Sequence, residues 1–148
     1  MKNNPKSRKE NIVVQEFEKE ILIYDLKINK AFCLNETSHL VWQLCDGEKS
    51  VSEISRSLSQ KLKIDIPEDL IWLALDQFKR DDLLDKGDNF AINFGGLNRR
   101  QVIKKLGFAS LVALPMVASV VAPRAVNAAS GLPFLAPCTA DSQCATGN

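Results

Sequence analysis

Apolar and polar residues alternate over the first third of the chain, and from residue 36 onward the apolar ones recur every three or four positions. That change of period predicts strands followed by helices. Three β-type runs stand at Ile12 to Phe17, Ile21 to Leu26 and Lys30 to Leu34. In the middle run Leu22, Tyr24 and Leu26 alternate with Ile23, Asp25 and Lys27, the period of a strand with one wetter face. Lys27 to Lys30 supplies a turn, with Asn29 suited to the left-handed conformation. The expected unit is a three-stranded antiparallel meander.

Three helices are expected next. The first runs from Glu36 to Cys45, with Asn35 as its cap, Leu40, Val41, Leu44 and Cys45 at helical spacing, and Asp46-Gly47 as its stop. Ser50 opens the second with Glu53 three residues on, a capping box. Its stripe is Val51, Ile54, Leu58 and Leu62. The third begins with Pro67 as its first helical residue, carries Glu68 and Asp69 in its first turn, and shows Ile71, Ala74, Leu75 and Phe78 on one face. Leu83-Leu84, Gly87-Asp88 and Phe90 to Phe94 fit a short hairpin like the wing of a winged-helix domain. The fold class is therefore α+β and winged-helix-like: a meander, three helices, a wing and a C-terminal hydrophobic segment. Trp42 and Trp72 fall off the main stripes, and His39, the one histidine, has no titrating partner nearby in sequence.

Charge divides the chain. Residues 1–97 hold 14 Lys and Arg against 17 Asp and Glu, whereas residues 98–148 hold 5 against 1. The acidic balance of the first part argues against nucleic acid, which needs a dense Lys/Arg surface. Residues 1–10 are polar and basic and read as a disordered leader, so a domain is expected over 11–95. Cys33 and Cys45 lie in apolar runs, as small buried residues do. Cys138 and Cys144 lie in a polar tail with no histidine beside them, which suits a disulfide or modification better than a metal site. No motif supplies a base, a nucleophile or a metal site, so no catalytic residue, cofactor or metal is assigned.

Asn98-Arg99-Arg100-Gln101-Val102-Ile103-Lys104 precedes an uncharged run from Leu106 to Ala122. With Pro123 and the small residues around Val126-Asn127-Ala128, it resembles a twin-arginine export signal, with Arg99, Arg100 and Lys104 as its marks. It departs from the pattern at Asn98 and Val102, and in following a domain rather than opening the chain. Seventeen residues at 1.5 Å rise span roughly 25 Å, short of the ~30 Å hydrocarbon core, and Gly107 and Pro115 weaken the run further as a permanent helix. Residues 98–128 are thus expected to be a signal or provisional anchor. Basic residues on its N-terminal flank place the domain on the cytoplasmic side of an inner membrane and the tail, 129–148, across it.

The series Leu34-Asn35, Val41-Trp42, Leu44, Asp46-Gly47, Ser50-Val51 and Glu53-Ile54, preceded by a hairpin, resembles the PqqD family over about residues 11 to 86. The resemblance implies a non-catalytic winged-helix-like domain that binds the leader of a ribosomally made precursor peptide and presents it to a modifying enzyme, often a radical-SAM protein. In that family the leader adds as a strand beside the third strand and rests on the third helix. By position this implies Ala31, Phe32, Cys33 and Leu34 on the strand and Leu75, Phe78 and Lys79 on the helix, with core packing the competing role for Phe32, Leu34, Leu75 and Phe78. The tail, ASGLPFLAPCTADSQCATGN, opens a second expectation: a recognition domain fused to its own substrate peptide, tethered beside a modifying or export system. The alternative class is a winged-helix DNA-binding regulator with a membrane tail. The acidic third helix, with Glu68, Asp69, Asp76, Asp81 and Asp82, stands against that alternative.

Overall fold

The computed structural model describes residues 4–86, 90–109 and 112–121. Strands β1 (Ile12–Glu16), β2 (Ile21–Asp25) and β3 (Lys30–Leu34) form the expected antiparallel meander, with Ile23 opposite both Val14 and Phe32. Asn29 takes φ +52° in the turn between β2 and β3, as its short side chain allows. Helices α1 (Glu36–Leu44), α2 (Val51–Leu62) and α3 (Glu68–Arg80) follow. The caps are those expected: Asn35 accepts from the Ser38 N–H, and Ser50 and Glu53 cap each other's backbone reciprocally. Pro67 differs from expectation, standing as the N-cap of α3 with extended backbone rather than as its first helical residue. Asp46 and Gly47 reverse the chain between α1 and α2: Oδ1 of Asp46 accepts from the N–H groups of Glu48 and Lys49, and Gly47 takes φ +87°.

The sheet turns Ile21, Ile23, Phe32 and Leu34 toward Val41, Ile54, Leu58, Leu70, Ile71, Leu75 and Phe78 of the helices, all essentially inaccessible to solvent. Trp42 is buried and donates to the carbonyl of Leu83, while Trp72 is half-buried and stacks on Phe90 at 5.4 Å. The wetter face of β2 is not the one that carries Asp25. That carboxylate is 1 % exposed on the core side, and Leu26 lies exposed in the turn. Arg8 makes this burial tolerable, because its guanidinium pairs with Asp25 and reaches Asp82 at 3.3 Å. Burial pushes the Asp25 carboxyl up, but hydrogen bonding and charge from Arg8 and the N–H groups of Lys27 and Ile28 outweigh it, so the group ends below the usual range.

Arg8 belongs to the segment expected to be a disordered leader. Residues 4–8 instead lie between two loops. Ser7 N–H donates to Cys45 and Gly47 N–H to Pro5 on one side; Arg8 N–H donates to Leu83 and Asp85 N–H to Lys6 on the other. The segment gains a home because its backbone groups are paired and its one buried charge is neutralised, not because it is apolar. The bridge between Ser7 and Leu84 also occupies the place where the wing was expected to start. Residues 90–94 form no strand, and residues 87–89, the tip of that expected hairpin, lie outside the described residues.

Beyond residue 97 the chain does not separate from the domain. Helix α4 (Arg99–Ala109) packs on α3 through Val102 and Leu106, both buried in the common core. Arg99 pairs with Asp76 at 2.9 Å and Lys105 with Asp69 at 2.7 Å, while Arg100 and Lys104 face solvent. The acidic flank of α3 is thus turned partly to its own basic helix. A fourth strand, β4 (Val117–Val121), then joins the sheet beside β3, giving the order β1-β2-β3-β4. Within the uncharged run, residues 106–109 end α4 and residues 117–121 form this strand, while residues 110–111 and the expected small-residue site at 123–128 lie outside the described residues. Among the described residues no helix is long and apolar enough to cross a membrane.

Replacing Arg8 by Ala strands the Asp25 carboxylate in the core, and such a loss costs about 3–5 kcal/mol, to be read from urea unfolding at pH 7. Because the folded pKa of Asp25 is lowered, its contribution is present above the unfolded value and lost as pH falls through the folded one. Asp25→Asn should therefore flatten the loss of stability measured below about pH 4 relative to the parent chain.

Candidate functional site

Without a neighbour, β3 would be the edge of the sheet, and its outward N–H and C=O groups would lack strand partners. In this chain β4 takes that place, antiparallel, with Leu34 opposite Val117, Phe32 opposite Ser119 and Lys30 opposite Val121. Little side-chain burial accompanies the pairing: Val117 is half-buried, and Ala118 to Val121 are exposed. Main-chain hydrogen bonding holds this strand more than hydrophobic contact does.

The segment leading into β4 is held by side chains that read its backbone. Thr37 Oγ1 donates to the Ala113 carbonyl at 2.8 Å and Asn35 Nδ2 to that of Leu114 at 2.9 Å. Gln77 Nε2 donates to the Pro115 carbonyl at 2.8 Å, while Gln77 Oε1 accepts from the Val117 N–H at 3.0 Å. Asn35 Oδ1, already the cap of α1, also accepts from Met116 N–H at 3.1 Å, and Asn35 N–H donates to the Met116 carbonyl at 3.2 Å. Pro115 has no N–H to satisfy, and it is buried in the clasp. Three polar residues from the start of α1 and from α3 therefore bond to six backbone groups between Ala113 and Val117.

Open space flanks the clasp at both ends. One cavity, about 360 Å³, is lined by Glu20, Asn35, Thr37, Leu40, Leu62 and Val112 among others. A second, about 320 Å³, lies between α3 and β4, with Gln77, Arg80, Arg99, Met116 and Val117 on its walls. The first opens toward α1 and the end of α2, the second along α3.

The seven residues expected to meet a peptide divide into three groups. Ala31 and Cys33 sit half-buried on the face of β3 away from the helices, and the backbone of residues 31–34 pairs with β4. Phe32, Leu34, Leu75 and Phe78 are at most 1 % exposed, so their side chains serve the core and offer no surface to a ligand. Lys79 turns elsewhere, donating to the Phe90 carbonyl at 2.7 Å. The polar clasp of Asn35, Thr37 and Gln77 was not foreseen. Asn35 was legible only as a cap, and Gln77 stands beside an apolar stripe where a polar residue attracts no notice.

Nothing at this edge resembles a reaction centre. Burial, the Glu20 carboxylate and a hydrogen bond to it raise the Cys33 thiol. Burial and the Asp46 charge push Cys45 up to about 12 despite the opposing charge of Lys9. Both thiols stay protonated near neutrality, the unreactive form. Among the described residues no cluster of His, Cys, Asp and Glu could hold a metal ion. Cys138 and Cys144 lie outside the described residues.

Comparison with known proteins places part of the chain. The family profile of Coenzyme PQQ synthesis protein D (PqqD) matches residues 20–71, from the start of β2 into α3. A solved structure, TbiB1 in complex with the TbiA(beta) leader peptide, is similar at 17 % identity and a TM-score of 0.47, over 58 % of this chain and 98 % of that one. No curated protein matches.

Gln77→Ala removes both contacts of one side chain with the arm formed by residues 112–121. At about 0.5–1.5 kcal/mol net per hydrogen bond, hydrogen exchange at Val117 should quicken by roughly one order of magnitude or more, with the amides of α1 and α2 unchanged. Uniform acceleration across the chain would instead mean that Gln77 supports the whole fold.

Proposed function

We propose that this chain is a non-catalytic peptide-recognition protein, which holds an extended peptide against β3 and α3 and presents it to a modifying enzyme. The observation that carries this reading is the β3 edge itself. It accepts an antiparallel strand, and three side chains beside it bond to main-chain groups of an incoming segment. Such a site takes affinity from the backbone and specificity from neighbouring grooves, the mode of strand addition. The PqqD match over residues 20–71 supports the reading, because it includes β3 and the Asn35 and Thr37 half of the clasp.

The ligand class is the leader part of a ribosomally made peptide, and the partner enzyme is of the radical-SAM class, as the family resemblance implies. The exposed basic residues Arg100 and Lys104 support a position beside the inner membrane or an export system, with the domain on the cytoplasmic side. Duplex DNA is disfavoured: the basic helix α4 is spent partly on Asp76 and Asp69, and the domain is net acidic.

The test uses the full chain with β4 broken by Ala118→Pro and Ser119→Pro. Adjacent strand residues point their N–H groups to opposite sides, so the pair removes a ladder bond whichever residue faces β3. Random peptides displayed on phage should yield extended binders of micromolar Kd, and Gln77→Ala in the same chain should weaken them at least tenfold. Recovery of no peptide, together with salt-dependent micromolar binding of duplex DNA, would overturn the reading.

A further inference from the structure

The peptide in this site is the chain's own. We infer that residues 112–121 are the resident ligand of the β3 edge, so that recognition module and cargo are one polypeptide and the segment delivered is the chain's C-terminal tail. This inference rests on the peptide-recognition reading above, and it names the peptide.

Three observations carry it. The contacts to residues 113–117 use both ends of the Gln77 amide and both ends of the Asn35 amide, whose oxygen serves at once as the α1 cap and as an acceptor for this segment. Strand β4 adds more to the sheet than to the core, against which only its Val117 is packed. The buried members of the hydrophobic core lie within 21–106 and Pro115 is buried in the clasp, whereas Met116, Val120 and Val121 are 62, 58 and 71 % exposed. A segment docked mainly by backbone pairing, with Val112, Leu114, Pro115 and Val117 its only buried or half-buried residues, behaves as a ligand does. Finally, α4 is pinned to α3 by Val102, Leu106 and the Arg99–Asp76 pair, and it ends at Ala109, four residues before the clasp begins.

That tether sets the energetics. A ligand held by so short a connection acts at an effective concentration of about 1 mM. A peptide in trans with an intrinsic Kd of ~10 μM, equal to that of the arm, competes against it at a disadvantage of about 100-fold. The site is therefore filled by default. Past Val121 the sequence holds 27 residues that include Cys138, Cys144, Ser130, Ser142, Thr139 and Thr146. The tail thus stands to the docked strand as a presented peptide stands to its leader.

The probe is a fluorescent synthetic peptide with the sequence of residues 112–121, made soluble by added lysines. The expected result is binding to the full chain carrying Ala118→Pro and Ser119→Pro about 100-fold tighter than to the parent chain, with at least tenfold lost on adding Gln77→Ala. Circular dichroism and thermal melting establish that each variant is folded. Where the proline pair fails to fold, Met116→Pro removes from the arm the N–H that Asn35 Oδ1 accepts, leaves the side chains of the site intact, and should open the parent site to the same probe at least tenfold. Equal affinity for parent and opened chains overturns the inference, and so does a strand-exchanged dimer in light scattering. If phage-selected peptides bind the opened chain and the arm peptide does not, the inference falls while peptide recognition stands. If neither binds, both fall. Mass spectrometry of the chain from its own host addresses the cargo: a tail altered in the parent and unaltered in the Gln77→Ala chain supports it, and an unaltered tail in both overturns it.

Discussion

The main-chain groups along the outer side of β3 constrain everything around them. A strand at that position must find a partner, take up water or be shielded, and each choice gives a different molecule. Here the meander ends on β3 rather than enclosing it, because the chain turns at once into α1 through the Asn35 cap. The same asparagine then faces the open edge. One residue thereby sets the start of a helix and the grip on a neighbouring strand, and the two roles share a single oxygen.

A second polar constraint lies at the other side of the sheet. Arg8 brings residues 4–8 between the α1–α2 loop and the end of α3, and it does so by answering the charge of Asp25. The two polar devices divide the work. The buried pair joins the sheet to the helical layer, and the clasp governs what is added at the rim. Hydrophobic contact supplies the bulk of cohesion between them, through residues from Ile21 to Leu106.

Periodicity made the meander, α1, α2 and most of α3 legible, because their apolar residues face one core and their caps are local. Nonlocal polar pairing was not legible. Arg8 in a basic leader looks like a solvated charge until Asp25 is known to be buried. The run Val117 to Val121 looks like part of an anchor until β3 is known to lack a neighbour. Both depend on residues far apart in sequence, which carry no periodic trace. The candidate site was half legible for the same reason. Strand 31–34 could be placed by position, but the side chains chosen on α3, Leu75 and Phe78, belong to the core, and the working residue, Gln77, sits between them.

Because the clasp bonds to carbonyls and amides, it is largely indifferent to the side chains of the segment it holds. Only Pro115 contributes a distinctive shape, and Val112 and Leu114 need be no more than moderately apolar. The arm can therefore drift through many sequences without losing its seat, provided that Asn35, Thr37 and Gln77 persist. Among related chains the lasting mark of this arrangement would be three scattered polar residues in the domain, while the strand they hold varied beyond recognition.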